Sequence, residues 1–161
     1  GWAYRWTACI QKQDMPDSAP LGGYILGFDF GMRRIGIAVG QTTTHTASSL
    51  ETVSHSREPD WAAIDRLVRE WKPALLLVGL PLGRDGEETD MSKAAQRFGA
   101  SLEKRYSIGV EYADERLTSR AAESRFAELR AAGSARRKDA GQLDAMSAQI
   151  ILENWLQSLH E

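Results

Sequence analysis

The sequence predicts an α/β domain: a mixed five-stranded sheet, three antiparallel strands and then parallel βα units, with helices on both faces. Three observations carry this reading. Large apolar residues alternate with smaller or polar ones along residues 23–41, as in strands with two different faces. The run "ALLLVGL" at 74–80 is continuously apolar, as a strand covered on both sides should be. Helical-period segments separate the later strands, giving the order β-β-β-α-β-α-β-α-α.

Residues 23–30 form the first strand, with Tyr24, Leu26, Phe28 and Phe30 on one face and Ile25, Gly27 and Asp29 on the other. "MRR" makes a short hairpin loop. "RIGIAVGQ" returns as the second strand, with Ile35, Ile37 and Val39 opposite Gly36, Ala38 and Gly40. "SSLETVSH" supplies a third antiparallel strand. From Asp60 to Glu70 a helix is predicted, since Trp61, Ile64, Leu67, Val68 and Trp71 follow the 3.6-residue period. Pro73 ends it. After "ALLLVGL" comes the glycine-containing loop "PLGRDGEET", and Thr89 or Ser92 caps a helix to about Tyr106. "GVEYADE" is the fifth strand. Thr118 or Ser119 caps a helix to about Ala132, stopped by Gly133. Asp139, with Gln142 three residues on, caps a last helix to about Leu159.

Residues 1–22 lack both a clean period and the continuous apolar core of a secretory signal. They are read as a poorly ordered N-terminal extension, with Met15 a candidate natural start, which leaves residues 23–161 as the single domain. The 161 residues suit one domain, and 42% apolar with 26% charged residues is ordinary for a globular protein. No apolar run approaches the roughly 20 residues needed to span a bilayer, so no membrane partner is expected. Cys9 is the single cysteine, which rules out an intrachain disulfide and favours a cytoplasmic location. A net charge of −2 and a pI near 6.0 argue against a protein that coats nucleic acid. Locally the balance reverses. Between Arg116 and Lys138, seven basic residues (Arg116, Arg120, Arg125, Arg130, Arg136, Arg137, Lys138) face two acids (Glu123, Glu128), leaving +5. This is either a solvated helix face or a surface for phosphates.

Three carboxylates stand out. Asp29 sits near the end of the first strand, where Gly27, Gly36 and Ala38 leave room for an ion or a phosphate beside the backbone. A turn aspartate that hydrogen-bonds the hairpin is the plainer alternative. Glu115 lies at the strand-to-helix junction of "DERLTS", where functional side chains of α/β sheets gather. A solvated loop acid fits equally. Asp114 is expected on the opposite side of the strand. Asp144 starts an apolar stripe continued by Ala148, Ile151 and Trp155, so it should be paired, hydrogen-bonded or metal-bound. Together the three make a hard, oxygen-rich site suited to Mg²⁺ or Mn²⁺. No His/Cys spacing suggests zinc: His45, His55 and His160 show no pattern with Cys9. Paired divalent ions at carboxylates stabilise both the attacking and leaving oxygens in phosphodiester cleavage.

The segments "GFDFGMRRIGIAVGQ", "LLLVGLPLGRDGEET", "YADERLTS" and "LDAMSAQIILENWL" together resemble the YqgF (RuvX) family over about residues 23–159. The resemblance implies an RNase H-like fold, related to that of the RuvC Holliday junction resolvases. It implies a nuclease acting at the 5′ end of pre-16S rRNA in ribosome biogenesis, with Holliday junction resolution as the alternative. The family's acids fall on Asp29, Glu115 and Asp144, as catalytic residues and metal ligands. Its basic and hydroxyl positions fall on Arg116, Thr118 and Ser119, and Gly79, Pro81 and Gly86 match its loop after the fourth strand. Arg120 and Arg33 join the expected substrate-binding residues. Two departures stand against the match. Gly141 and Gln142 occupy the approach to the third acid where many members carry Lys, and Ala140 and Gly141 stand where RuvC-type resolvases have a fourth acid. Three acids predict one ion held well and a second weakly.

The expected partner is structured RNA, or else branched DNA, and the expected state is a monomer or weak homodimer, since no dimer helix is evident. Two readings come from other classes. One is a nucleotide binder of the actin and sugar-kinase type, whose phosphate hairpin "DFGMRRIGIAVG" also resembles; that class needs a second such domain and hairpin. The other is a non-catalytic nucleic-acid or transcription partner that keeps the shell of the fold.

Overall fold

Alternation along residues 24–41 builds the centre of the molecule. In the computed structural model, which describes residues 23–115 and 140–159 and between them only residues 124, 125, 127, 128 and 131, strand β1 covers Tyr24–Phe30 and β2 covers Arg34–Gln41. They pair antiparallel, and a Gly31 N–H to Arg34 carbonyl bond of 3.0 Å closes the turn. β3, Thr46–Ser54, adds a third antiparallel strand with a register shift between Ile37 and Ala38. β4, Leu75–Leu80, and β5, Val110–Asp114, join parallel on the other side of β1. The order is β3-β2-β1-β4-β5, the mixed sheet that the sequence predicts. Because β1, β4 and β5 run the same way, their C-terminal ends and the start of β2 share one end of the sheet.

The helices cover both faces. Helix α1, Trp61–Trp71, is capped by Asp60, whose side chain accepts from the Ala63 N–H. It ends at Lys72, which adopts the left-handed conformation (φ 47°) just before Pro73. Helix α2, Asp90–Tyr106, starts with a full capping box: Thr89 accepts from the Ser92 N–H, and Ser92 accepts from the Thr89 N–H. Both pack on the face where Leu26, Phe28, Phe30, Ile35, Ile37 and Val39 point, with Ile64, Leu67, Phe98 and Leu102 as their buried contributions. Asp65 of α1 pins α2 by accepting from Arg105 and from the Tyr106 hydroxyl. Those bonds, Arg105 first, hold its carboxyl down to about 2.

Helix α3, Ala140–Ser158, covers the opposite face. Ala148, Ile151, Leu152 and Leu156 pack there against Ile25, Ala38, Leu75 and Leu77. The expected stripe is therefore present and wider than predicted: Leu152 and Leu156 are fully buried, while Trp155 packs at the edge. Residues 124, 125, 127, 128 and 131 are helical, in agreement with the helix expected there. Arg125 in that stretch forms an ion pair with Glu153 of α3. The N-terminal extension 1–22, the Thr118 or Ser119 cap, and the Asp139–Gln142 capping pair lie outside the described residues or side chains.

Candidate functional site

Asp29 occupies the penultimate position of β1, on the α3 face. Its partner across the antiparallel pair is Gly36 of β2. On its other side, one residue beyond the Phe28–Val78 pairing, lies Gly79 of β4. Each flanking glycine admits one of the other two acids. A Cβ on Gly36 would sit 2.0 Å from the Asp144 carbonyl oxygen, so the backbone of α3 rests directly on β2 there. A Cβ on Gly79 would sit 2.6 Å from Glu115 Oε2, so the Glu115 carboxylate lies over β4. The pattern Gly36–Asp29–Gly79 across three strands thus draws Asp144 and Glu115 toward Asp29 from either side.

This corrects one expectation. The glycines around Asp29 do not leave room for a phosphate beside the backbone. Gly27 faces Leu152, which a Cβ would approach to 3.2 Å, and Gly36 faces the α3 backbone. Helix and carboxylate occupy the space that small residues make.

Electrostatics record the convergence. Asp29 is pushed up to about 8, by burial first, then by the charges of Glu115 and Asp144. Glu115 is pushed up to about 6, again by burial first and then by Asp114. Strand β5 ends at Asp114, so alternation does not separate these neighbours fully, and Asp114 acts on Glu115 as a charge. Burial and the neighbouring carboxylates therefore favour the protonated form of Asp29 wherever no cation offsets their charge. Such a crowd of oxygen donors fits a hard divalent cation by chemistry. Among the described residues, though, no three His, Cys, Asp or Glu side chains form a ready-made metal cage.

Asp144 is paired, as its position demands. Its Oδ2 accepts from Arg34 Nε at 2.6 Å. Sequence reasoning singled out Arg33 and missed Arg34. The signal was available: Arg34, Gly36 and Ala38 alternate onto the face of Asp29, opposite Ile35, Ile37 and Val39. Arg33 is exposed in the turn, and its carbonyl accepts from the His55 N–H at 2.9 Å. His55 Nδ1 in turn donates to the Gly31 carbonyl at 2.8 Å, which ties the turn to the end of β3. Arg116, Thr118, Ser119 and Arg120 lie outside the described residues.

Residues 23–158 match the family model described as RuvX, Holliday junction resolvase. The chain belongs to the RuvX family. Among curated relatives, a protein of Nitrosococcus oceani is 48% identical over 82% of this chain and 85% of its own length. One of Hydrogenovibrio crunogenus is 44% identical over 87% of this chain and 98% of its own. Both carry the name "Putative pre-16S rRNA nuclease". Two solved structures share the fold at low identity. Thermus thermophilus RuvC, in complex with a Holliday junction substrate, matches with a TM-score of 0.55 and 14% identity over 85% of this chain and 96% of that one. Fowlpox virus resolvase, in complex with Holliday junction DNA, matches with a TM-score of 0.50 and 9% identity over 86% and 99%. The RuvX chain is thus RNase H-like in fold. No described helix is long and apolar enough to cross a membrane.

Proposed function

We propose that this RuvX protein is a divalent-cation-dependent endonuclease that hydrolyses phosphodiesters of structured RNA, at the 5′ end of pre-16S rRNA. The observation that carries the reading is the gathering of Glu115 and Asp144 around Asp29 by two glycines. The names of the relatives support this choice of substrate. Asp29, Glu115 and Asp144 would hold Mg²⁺ or Mn²⁺; a bound ion would supply charge stabilisation to the attacking and leaving oxygens. The chain's own part is positional. Asp29 would have to give up its proton to hold an ion, and Glu115, raised less from its ordinary range, would be the readier acceptor of a proton from water. Arg116, Thr118, Ser119, Arg120 and Arg33 position the nucleic-acid backbone. A cytoplasmic site of action and a monomeric or weakly dimeric state complete the proposal.

Branched DNA is the second reading, favoured by the family's description and by the two junction-bound neighbours. Symmetric cutting of a junction needs a two-fold dimer. The test presents a pre-16S leader fragment and a four-way DNA junction to the same preparation with Mg²⁺, Mn²⁺ or EDTA. Ion-dependent cutting of the RNA alone is expected. Cutting of the junction alone would replace the RNA reading with the resolvase one.

A further inference from the structure

Arg34 is the first residue of β2, and its backbone is anchored by the Gly31 bond to its carbonyl. Its side chain reaches 110 residues along the chain to Asp144 and contacts that carboxylate through Nε. The pair is not a buried structural bridge: the Arg34 side chain is 47% exposed and that of Asp144 31%. An exposed pair of this kind is worth at most about fivefold in an equilibrium constant. It is therefore exchangeable. It also occupies one oxygen of a carboxylate that would help hold an ion, and guanidinium and divalent ion repel each other at one carboxylate.

We propose that Arg34 is the resident counter-cation of the site: it holds the Asp144 carboxylate until a divalent cation takes that place, and the guanidinium so released meets the phosphate of the substrate. Arg34 acts first through Asp144 and is in that respect a positioning residue. The exchange explains why Glu115 and Asp144 converge on Asp29 without forming a closed cage among the described residues. It also gives the site a cation at its rim at the moment the ion arrives, when a phosphodiester brings new negative charge. The second half rests on the nuclease reading; the first half needs only the carboxylates.

Mn²⁺ binding to the full chain, followed by electron paramagnetic resonance, tests the exchange in wild type, Arg34→Gln and Arg34→Lys. Arg34→Gln should bind Mn²⁺ about two- to fivefold more tightly, since the competing cation is gone. Arg34→Lys, which keeps the charge, should stay close to wild type. With Mn²⁺ saturating, Arg34→Gln should raise KM for the RNA about tenfold with a smaller change in kcat, as loss of one charge-assisted contact does. A merely structural ion pair would lower Tm and leave Mn²⁺ affinity unchanged or weaker, which would overturn the exchange. Tighter Mn²⁺ with an unchanged KM would overturn the phosphate contact. If no protein cleaves RNA, the nuclease reading fails, and the Mn²⁺ comparison still decides the exchange. Absence of Mn²⁺ binding from all three would remove the carboxylate site itself.

Discussion

Asp29 shows how a single residue can be set against the stability of its own fold. Its carboxyl titrates near 8 instead of 3.8 because burial and two other acids oppose its charge. The ion-free native state therefore holds that proton more tightly than the unfolded chain does. The resulting stabilisation is full below about pH 4 and is lost as the pH rises through about 8. Without ions, the protein should lose stability over that window, and Asp29→Asn should escape part of the loss. Denaturant titrations at pH 8 in EDTA should find the variant more stable than wild type by on the order of 2 kcal/mol. Divalent ions should stabilise the wild type and leave the variant nearly unaffected, because an ion bound only to the native state shifts the equilibrium by mass action. Raising the pH through 8 should also tighten ion binding, since the proton on Asp29 no longer competes.

At the scale of elements, the two glycines beside Asp29 separate folding from chemistry. Gly36→Ala drives a methyl group into the α3 backbone, which cannot move without undocking the helix. It should cost about 3 kcal/mol of stability in denaturant titrations. Gly79→Ala meets the far end of the Glu115 side chain instead, with Ile151 Cδ1 at 3.2 Å. It should cost about 1 kcal/mol or less, yet move a carboxylate enough to lower kcat by about a hundredfold. Thr89→Ala, remote from the site, should cost about 1 kcal/mol through the lost cap and leave cleavage unchanged. These contrasts also mark what was legible in the sequence. Alternation placed Asp29 on the opposite face from Phe28 and Phe30, and the periods of α1 and α2 located their buried faces, because those signals are local. The purpose of Gly36 and Gly79 was not legible, since each serves a residue 36 or more positions away. Arg34 lay between the two cases: its face was readable, but its partner on α3 was not.

For the whole molecule, the sheet order gathers the three acids. β1, β4 and β5 run parallel and end together, β2 starts beside them, and α3 lays its first turns across that end. The opposite face, with α1 and α2 fastened by Asp65, Arg105 and Tyr106, contributes rigidity and none of the three acids. One end of the sheet therefore carries the chemistry, and the central claim is that Asp29 is its hub. The most direct measurement compares ion-dependent cleavage by matched preparations of wild type and Asp29→Asn, each shown to be folded, on a pre-16S leader fragment. The account predicts cleavage by the wild type that EDTA abolishes, and a rate lower by about a hundredfold in the variant. Equal rates in the two preparations would contradict it, and would place the chemistry away from Asp29.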